Sequence, residues 1–336
     1  MPKILVVGDV IDDILVIPNG EIRLDTDTNS QIQQQPGGSA ANFACWIASL
    51  GIETHFVGRV GKDDLERHSE ILRKYKVIPH LQVDQELQTG RIVVLVQGQQ
   101  RSFLTDRGAN KNLDIAAIPE ELFGEALFIS GYTVFDQSVE VMQGLIHRAK
   151  EHGIVACDPG SAGYIADHSV HTFLAAIAGT DLLLPSLEEG RILSAESRPE
   201  IVSALLGEWF PKVALTLGAD GVQLQSSAGN EHIPAISAVV IDVTGAGDAF
   251  VGALCAELAE SGAGAELRTA VERGVALAEK PGGQGRLSLV VVLAEQAGHD
   301  RAVVGIERQN VDAVAAQILL QQWLDQHKIS SGGINA

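Results

Sequence analysis

Short apolar runs of strand length alternate with longer amphipathic stretches along most of this chain. In the stretches between the runs, apolar residues recur at helical spacing, as Val141, Leu145 and Ala149 do. Strands that alternate with helices form a mostly parallel sheet with helices on both of its faces. The pattern therefore predicts an α/β fold. Its strands are expected at residues 3–7, 54–57, 127–129, 154–157, 181–184 and 212–217.

Two segments depart from this alternation. Residues 14–35 are polar, extended and poor in helical periodicity, whereas residues 88–105 form a predicted hairpin with strands at 91–96 and 101–105. We expect both to belong to a small β-sheet that stands apart from the main sheet, as a lid would. The alternative is two unrelated excursions on the surface.

The charge of the chain limits its partners. There are 43 acidic and 24 basic residues, a formal net charge of −19. Such a surface repels phosphate backbones and anionic lipid, so neither nucleic acid nor membrane is expected as a partner. Cys45, Cys157 and Cys255 lack metal-ligand spacing and are expected to be buried, reduced thiols of a cytoplasmic protein.

A run of small residues is the most informative chemical feature. It reads Asp242-Val-Thr-Gly-Ala-Gly-Asp248, directly before a predicted helix at 249–260. Bare amides and the positive end of a helix dipole make an anion hole suited to a phosphoryl group in transfer. Asp248 would accept a proton from an attacking hydroxyl there. The alternative is that Asp248 only caps the helix.

A second glycine-rich junction lies near the amino terminus. The stretch 36–42 reads Pro-Gly-Gly-Ser-Ala-Ala-Asn and leads into a helix that ends at Gly51. Gly37 and Gly38 permit close approach of a ligand, and the Asn42 amide can both donate to and accept from polyol hydroxyls. Alone, this junction is also compatible with a purely structural turn.

Together, the two junctions resemble the signatures of the ribokinase-like (PfkB) carbohydrate kinases. Residues 37–51, followed by Val-Gly-Arg-Val-Gly-Lys-Asp at 57–63, are similar to the amino-terminal signature, and residues 242–248 are similar to the carboxyl-terminal one. The likeness covers about residues 3–285. It implies a three-layer α/β/α domain with a mostly parallel central sheet and a small β-sheet lid.

The resemblance also implies roles for single residues in transfer of the γ-phosphate of ATP to a sugar hydroxyl. Asp248 corresponds to the catalytic base. Asp13 corresponds to the acidic residue that holds substrate hydroxyls, with Asp12 as the neighbouring alternative. The anion hole corresponds to Gly245, Ala246 and Gly247, and the other substrate contacts to Gly37, Gly38 and Asn42.

The same resemblance suggests where ATP and cations bind. The nucleotide loop corresponds to Thr216, Gly218 and Gly221. Relatives carry Asn-x-x-Glu near the metal, where this chain has Ser186 and Glu189; Ser186 is expected near the nucleotide and Glu189 near Mg²⁺, acting through water. In relatives that use K⁺, the monovalent cation lies at the positions of Asp242 and Thr244.

The expected domain organisation is one kinase domain at residues 1–290, with lid segments at about 14–35 and 88–105. Residues 291–336 form an extension with a closing helix at 311–326 and a disordered end. The free edges of a lid sheet favour a homodimer through the lid, which light scattering tests.

The expected substrate is a small sugar, as for ribokinase or fructokinase, because Asp13 and Asn42 suit a polyhydroxylated ring. A nucleoside such as adenosine, inosine or pseudouridine is the alternative. Arg101 and Arg107 could face an acidic sugar or a sugar phosphate, or be solvated lid charges. A non-catalytic sugar-binding protein of the same fold is a further alternative. A Rossmann oxidoreductase is disfavoured because no G-x-G-x-x-G follows the first strand.

Overall fold

The computed structural model describes residues 2–97, 100–235, 239–240, 246–261 and 292–293, together with residues 268 and 271. Asp242, Thr244, Gly245, the closing helix predicted at 311–326 and the chain end lie outside these residues. In chain order the strands are β1 Lys3–Val7, β2 Ile11–Pro18, β3 Ser30–Gly37, β4 Glu53–Gly61, β5 Ile78–Asp84, β6 Thr89–Gln97, β7 Gln100–Gly108, β8 Ala126–Ser130, β9 Ile154–Asp158, β10 Leu182–Leu183, β11 Lys212–Thr216, β12 Val222–Ser226, β13 Gly229–Ile233, β14 Val239–Val240 and β15 Val292–Leu293.

The α-helices lie between strands along the chain. They are α1 Ser39–Ser49, α2 Leu65–Lys74, α3 Gly131–Val134, α4 Val139–Lys150, α5 Ala162–Asp167, α6 Val170–Ala176, α7 Leu187–Ser194, α8 Pro199–Leu206 and α9 Ala246–Ser261. Short 3₁₀ turns occupy Ala109–Asn112, Glu120–Leu122 and Gly218–Asp220. Within the described ranges no helix combines the length and apolar character needed to cross a membrane.

The large sheet is mostly parallel. Its strand order is β13-β12-β11-β10-β9-β8-β1-β4-β5, and only the pairings of β12 with β11 and of β13 with β12 are antiparallel. Successive residues of β1 point to opposite faces, so Ile4 and Val6 pack in the core beneath α1 and α9, whereas Leu5 and Val7 pack in the core beneath α4 and α6. This arrangement confirms the predicted three-layer α/β fold.

The two segments that did not fit the alternation form a separate sheet of order β3-β2-β6-β7. The predicted hairpin is confirmed, because β6 and β7 pair antiparallel up to the contact of Gln97 with Gln100. Strand β2 joins the two halves by pairing antiparallel with β3 and parallel with β6.

A partly buried ion-pair network holds this small sheet against α2. Arg67 donates from Nη1 and Nη2 to the two carboxylate oxygens of Asp12 at 2.7 and 2.6 Å, and it also contacts Asp64. Thr89 of β6 donates to Asp64 at 2.6 Å. Burial alone would raise the pKa of Asp12, but His68 and Arg67 outweigh it and hold that pKa well below its usual range. The ion pairs therefore fix the first residues of β2 and β6 to the main domain.

The three cysteines are confirmed as free and buried. Cys45 lies in α1, Cys157 in β9 and Cys255 in α9. Burial raises the pKa of the Cys45 and Cys255 thiols, the latter to about 12, so they remain protonated and unreactive at neutral pH.

Candidate active site

The candidate site lies where the carboxyl ends of the parallel strands meet the first turns of α1 and α9. Crevices at this edge of an open α/β sheet are the usual place for ligands. Helices α1 and α9 approach closely at Gly252, because a Cβ added there would lie 2.9 Å from the Trp46 Cβ. This close contact brings the two glycine-rich junctions together although some 200 residues separate them in the chain.

Asp248 is held by both polar side chains at the start of α1. Ser39 Oγ donates to its Oδ1 at 2.9 Å, and Asn42 Nδ2 donates to its Oδ2 at 3.3 Å. The described hydrogen bonds of the carboxylate therefore connect two helices. A simple helix cap would bond instead to amides of its own first turn.

The surroundings of Asp248 make it a stronger base than a carboxylate in water. Burial, followed by the charge of Asp9, raises the pKa of Asp248 to about 6, although the hydrogen bonds from Ser39 and Asn42 act in the opposite direction. At neutral pH the group is mostly ionised, yet it can hold a proton more readily than an ordinary aspartate.

Asp9 belongs to an acidic cluster after the first strand that is visible in the sequence, but the family signatures predicted no role for it in the site. It is 1% exposed, its Oδ2 accepts from the Ser39 amide at 2.9 Å, and its Oδ1 accepts from Ser130 Oγ at 2.8 Å. Ser39 therefore links two carboxylates, with its amide on Asp9 and its hydroxyl on Asp248.

Gly38 lies against the backbone of another segment, and Gly37 lies against a side chain. Gly38 has φ +104°, and a Cβ at this position would lie 2.6 Å from the Asp9 carbonyl oxygen. A Cβ at Gly37 would lie 2.3–2.5 Å from the carboxylate atoms of Asp13. The β3–α1 junction can thus lie directly against the loop that follows β1.

The structure separates Asp12 from Asp13, which the sequence left as alternatives. Adjacent residues of β2 point to opposite faces of the small sheet. Asp12 faces α2 and is bound by Arg67. It also lines a pocket of about 380 Å³ with Gln34, Gln35, Pro36, Asp64, Arg67 and Arg91. Asp13 lies instead against Gly37, beside the glycine-rich junction.

The predicted nucleotide loop follows β11. Thr216 ends this strand, and the 3₁₀ turn after it has positive φ at Gly218 (+60°) and Gly221 (+94°). A parallel bridge places Ser186 beside Thr216. These residues therefore lie at one edge of the sheet.

Ser186 and Glu189 form a capping box at the start of α7. Ser186 Oγ accepts from the Glu189 amide at 3.3 Å, while Glu189 Oε2 accepts from the Ser186 amide at 2.7 Å. The Ser-x-x-Glu spacing already carried this signal. Both side chains thus have a structural role whatever else they bind.

Asp158, at the end of β9, was also missed. Burial and the charges of Glu189 and Asp248 raise its pKa well above the usual range, and burial raises that of Glu189. No described group of three or more acidic, His or Cys side chains forms a closed metal cage. Mg²⁺ commonly binds one or two carboxylates through water and takes its other ligands from a nucleotide, so Asp158 and Glu189 are a suitable donor pair.

The anion-hole positions are described in part. Ala246 and Gly247 begin α9, and a Cβ at Gly247 would meet nothing within 4 Å. Helices begin with unpaired amides, so this end of α9 presents donors next to Asp248. Gly245, Asp242 and Thr244 remain predictions.

Comparison with known proteins gives a consistent result. The model of the pfkB family of carbohydrate kinases matches residues 1–280. A fructokinase from Klebsiella pneumoniae is 30% identical over 277 residues, covering 77% of this chain and 85% of that protein. An aminoimidazole riboside kinase from Salmonella typhimurium is 28% identical over 255 residues, covering 73% and 80%. The crystal structure of a ribokinase from Thermotoga maritima superposes with a TM-score of 0.71 at 26% identity, covering 83% of this chain and 92% of that one.

Proposed function

We propose, since this chain belongs to the pfkB family of carbohydrate kinases, that it transfers the γ-phosphate of ATP to a hydroxyl of a small sugar. Its relatives include fructokinases, so the chain is a phosphotransferase of this class. The assignment of ATP as donor and a small sugar as acceptor is best supported by two hydrogen bonds, from Ser39 and from Asn42 to Asp248.

In this proposal Asp248 is the general base. The substrate hydroxyl gives its proton to the carboxylate as its oxygen forms a bond to the γ-phosphorus. The bond from that phosphorus to the bridging oxygen breaks, and ADP leaves with the electron pair. A pKa of about 6 suits this task, because the base is ionised at neutral pH and still has appreciable proton affinity.

Asn42 is proposed to hold a substrate hydroxyl. Its side chain is 8% exposed, and its Oδ1 has no hydrogen-bond partner among the described residues, although its Nδ2 donates to Asp248. A buried acceptor without a partner costs about 1–3 kcal/mol, which a bound hydroxyl would recover. Asp13, Gly37 and Gly38 are proposed to complete the sugar site.

The remaining proposed contacts follow the family. The amides of Gly245, Ala246 and Gly247 would hold the charge of the transferring group, and Glu189 with Asp158 would hold Mg²⁺, which supplies positive charge to the phosphate oxygens. The small sheet is proposed to close over the sugar as a lid. ATP is assigned to Thr216, Gly218, Gly221 and Ser186, and K⁺ to Asp242 and Thr244.

A substrate panel tests the proposal. ADP formation would be measured with fructose, ribose, adenosine, inosine and pseudouridine, each with ATP and Mg²⁺, and with and without K⁺. Turnover of a sugar supports the proposal. Turnover of nucleosides alone would replace it with the nucleoside alternative, which the likeness to a riboside kinase favours. Sugar binding without ADP would indicate a non-catalytic protein.

Replacing Ser39 with alanine is expected to shift the acid limb of the profile of kcat/KM against pH, which reports groups of the free enzyme. In the unaltered enzyme kcat/KM should rise with pH through about 6, where Asp248 loses its proton. The Ser39 hydroxyl stabilises the ionised carboxylate, so its loss raises the pKa of Asp248. The limb should move about one unit to higher pH. Ser39→Thr keeps the hydroxyl and should keep the limb; equal profiles for all three proteins would contradict the assignment.

We also propose that the chain forms a homodimer through the small sheet. Ile32, Phe103 and Leu104 of its two edge strands are 67%, 61% and 63% exposed. Burial of such side chains against a second copy removes apolar surface from water. Light scattering should give a mass near twice that of the chain at high concentration, and the monomer mass at every concentration would end this proposal.

A further inference from the structure

Arg107 is a buried cation with an unused donor. It lies near the end of β7 and is 4% exposed. Its Nε donates to Asp136 Oδ2 at 2.8 Å, and its Nη2 lies 2.6 Å from the same oxygen. Its Nη1 has no hydrogen-bond partner among the described residues. A guanidinium carries five N–H donors, and one contact oxygen leaves most of them unsatisfied. Such a group is open to a ligand or to a bound water.

The backbone of Arg107 is tied to the loop that carries Asp9. Asn110 Nδ2 donates to the carbonyls of both Arg107 and Val10 at 3.0 Å, and Asn110 Oδ1 accepts from the Val10 amide at 3.1 Å. Val10 follows Asp9 directly and precedes Asp13 by three positions. Arg107 is therefore held at the edge of the sheet where the candidate active site lies.

Tyr132 connects Arg107 with the acidic part of the site. The guanidinium carbon is 5.5 Å from the centre of the Tyr132 ring. On the loop after β9, a Cβ at Gly160 would lie 3.1 Å from this ring. Burial, and next the charge of Asp9, raise the pKa of Tyr132 well above its usual range. The ring thus contacts the cation while it lies within the field of the carboxylates.

We infer that Arg107 selects a sugar with an anionic group, a carboxylate or a phosphate ester, at the end away from the hydroxyl that receives the phosphoryl group. The inference rests on the proposed kinase function. The carboxylates of Asp9 and Asp248 would repel such a group, and the guanidinium of Arg107, which lies beside Asp136, would attract it. Repulsion and attraction together fix which end of the sugar faces Asp248. Arginine suits this task because its planar fork matches both anions.

A purely structural ion pair between Arg107 and Asp136 makes a different prediction. Its loss would weaken the fold and so lower activity toward every substrate alike. A specificity residue, by contrast, changes the ratio of kcat/KM between a charged sugar and its neutral counterpart.

The test compares fructose 6-phosphate with fructose, and gluconate and glucuronate with glucose. The proteins are the unaltered enzyme, Arg107→Met, Arg107→Lys and the control Arg73→Met, which removes an exposed charge from α2. Calorimetry without ATP measures the affinity for each sugar, and ADP formation measures kcat and KM. We expect the unaltered enzyme to prefer at least one anionic sugar over its neutral partner. Arg107→Met should lower kcat/KM and affinity for that sugar about 10- to 100-fold, with the neutral sugar changed less than about threefold.

Arg107→Lys should retain part of the preference, and Arg73→Met should retain all of it. Preference for phosphate over carboxylate, or the reverse, identifies the anion. Because Arg107→Met strands the Asp136 carboxylate, Arg107→Met with Asp136→Asn is the second variant if the single one does not fold. Equal losses for charged and neutral sugars, or no binding of any anionic sugar to the unaltered enzyme, would overturn the inference. If calorimetry detects binding of an anionic sugar but no ADP forms, the kinase proposal is wrong and Arg107 remains a residue that binds the anion.

Discussion

Asp248→Asn is expected to lower kcat by ~10²–10⁴ with little change in stability or in affinity for ATP. The amide has nearly the shape of the carboxylate and can still accept from Ser39, but it cannot take a proton from the sugar hydroxyl. The fold should tolerate the change because burying a neutral amide costs less than burying a charge. Because an amide has little affinity for a proton, phosphoryl transfer in this variant would proceed without a general base.

Steady-state kinetics, thermal unfolding and nucleotide binding measure the three parts of this prediction. Asp167→Asn, at the exposed end of α5, is the control for loss of one negative charge. It should match the unaltered enzyme. Turnover by Asp248→Asn within a factor of about three of normal would remove Asp248 from the role of base, whatever the structure of the site.

Gly38→Ala is the second large effect that we expect, a loss of about 100-fold in kcat/KM. The methyl group would lie 2.6 Å from the Asp9 carbonyl oxygen, a backbone atom that cannot rotate away. The β3–α1 junction would have to move, and Ser39 with its bonds to Asp9 and Asp248 would move with it. Displacements of about 1 Å cost this much in a positioned site. The positive φ of +104° adds roughly 1–3 kcal/mol of instability.

Gly51→Ala is a matched control at the other end of α1. Gly51 also has positive φ, at +90°, but a Cβ there would meet nothing within 4 Å. Gly51→Ala should lower the free energy of unfolding by a similar amount, because the backbone conformation is similar, and it should keep its activity. Thermal unfolding and kcat/KM on both variants separate the two effects, and equal activity in both would show that the clash at Gly38 is relieved without moving the site.

The sequence predicted the large sheet well because apolar runs and helical spacing are local signals. It also predicted the β6–β7 hairpin. It predicted no site role for Asp9, Ser130 or Asp158, because each is a single polar residue at the end of a strand or just after it. Only the strand order brings them together. Likewise, Arg67 and Asp12 lie 55 positions apart in the chain, so the sequence alone does not show that they form a bidentate ion pair.

The capping box was a different kind of omission. Ser186 and Glu189 have the spacing of this motif, a local signal that was visible without the fold. The family pattern predicts a metal and nucleotide site at these residues, and the geometry shows that each also stabilises the start of α7. A departure from a family pattern therefore deserves a local structural explanation before a catalytic one.

The packing of α9 on α1 determines when the site is assembled during synthesis of the protein. Ribosomes synthesise proteins from the amino terminus, so α1 exists long before α9 does. During that interval the face of α1 around Phe43 and Trp46 lacks the helix that covers it in the finished protein. A growing chain thus holds Ser39 and Asn42 without the carboxylate to which they donate, and the proposed site is complete only after α9 has left the ribosome.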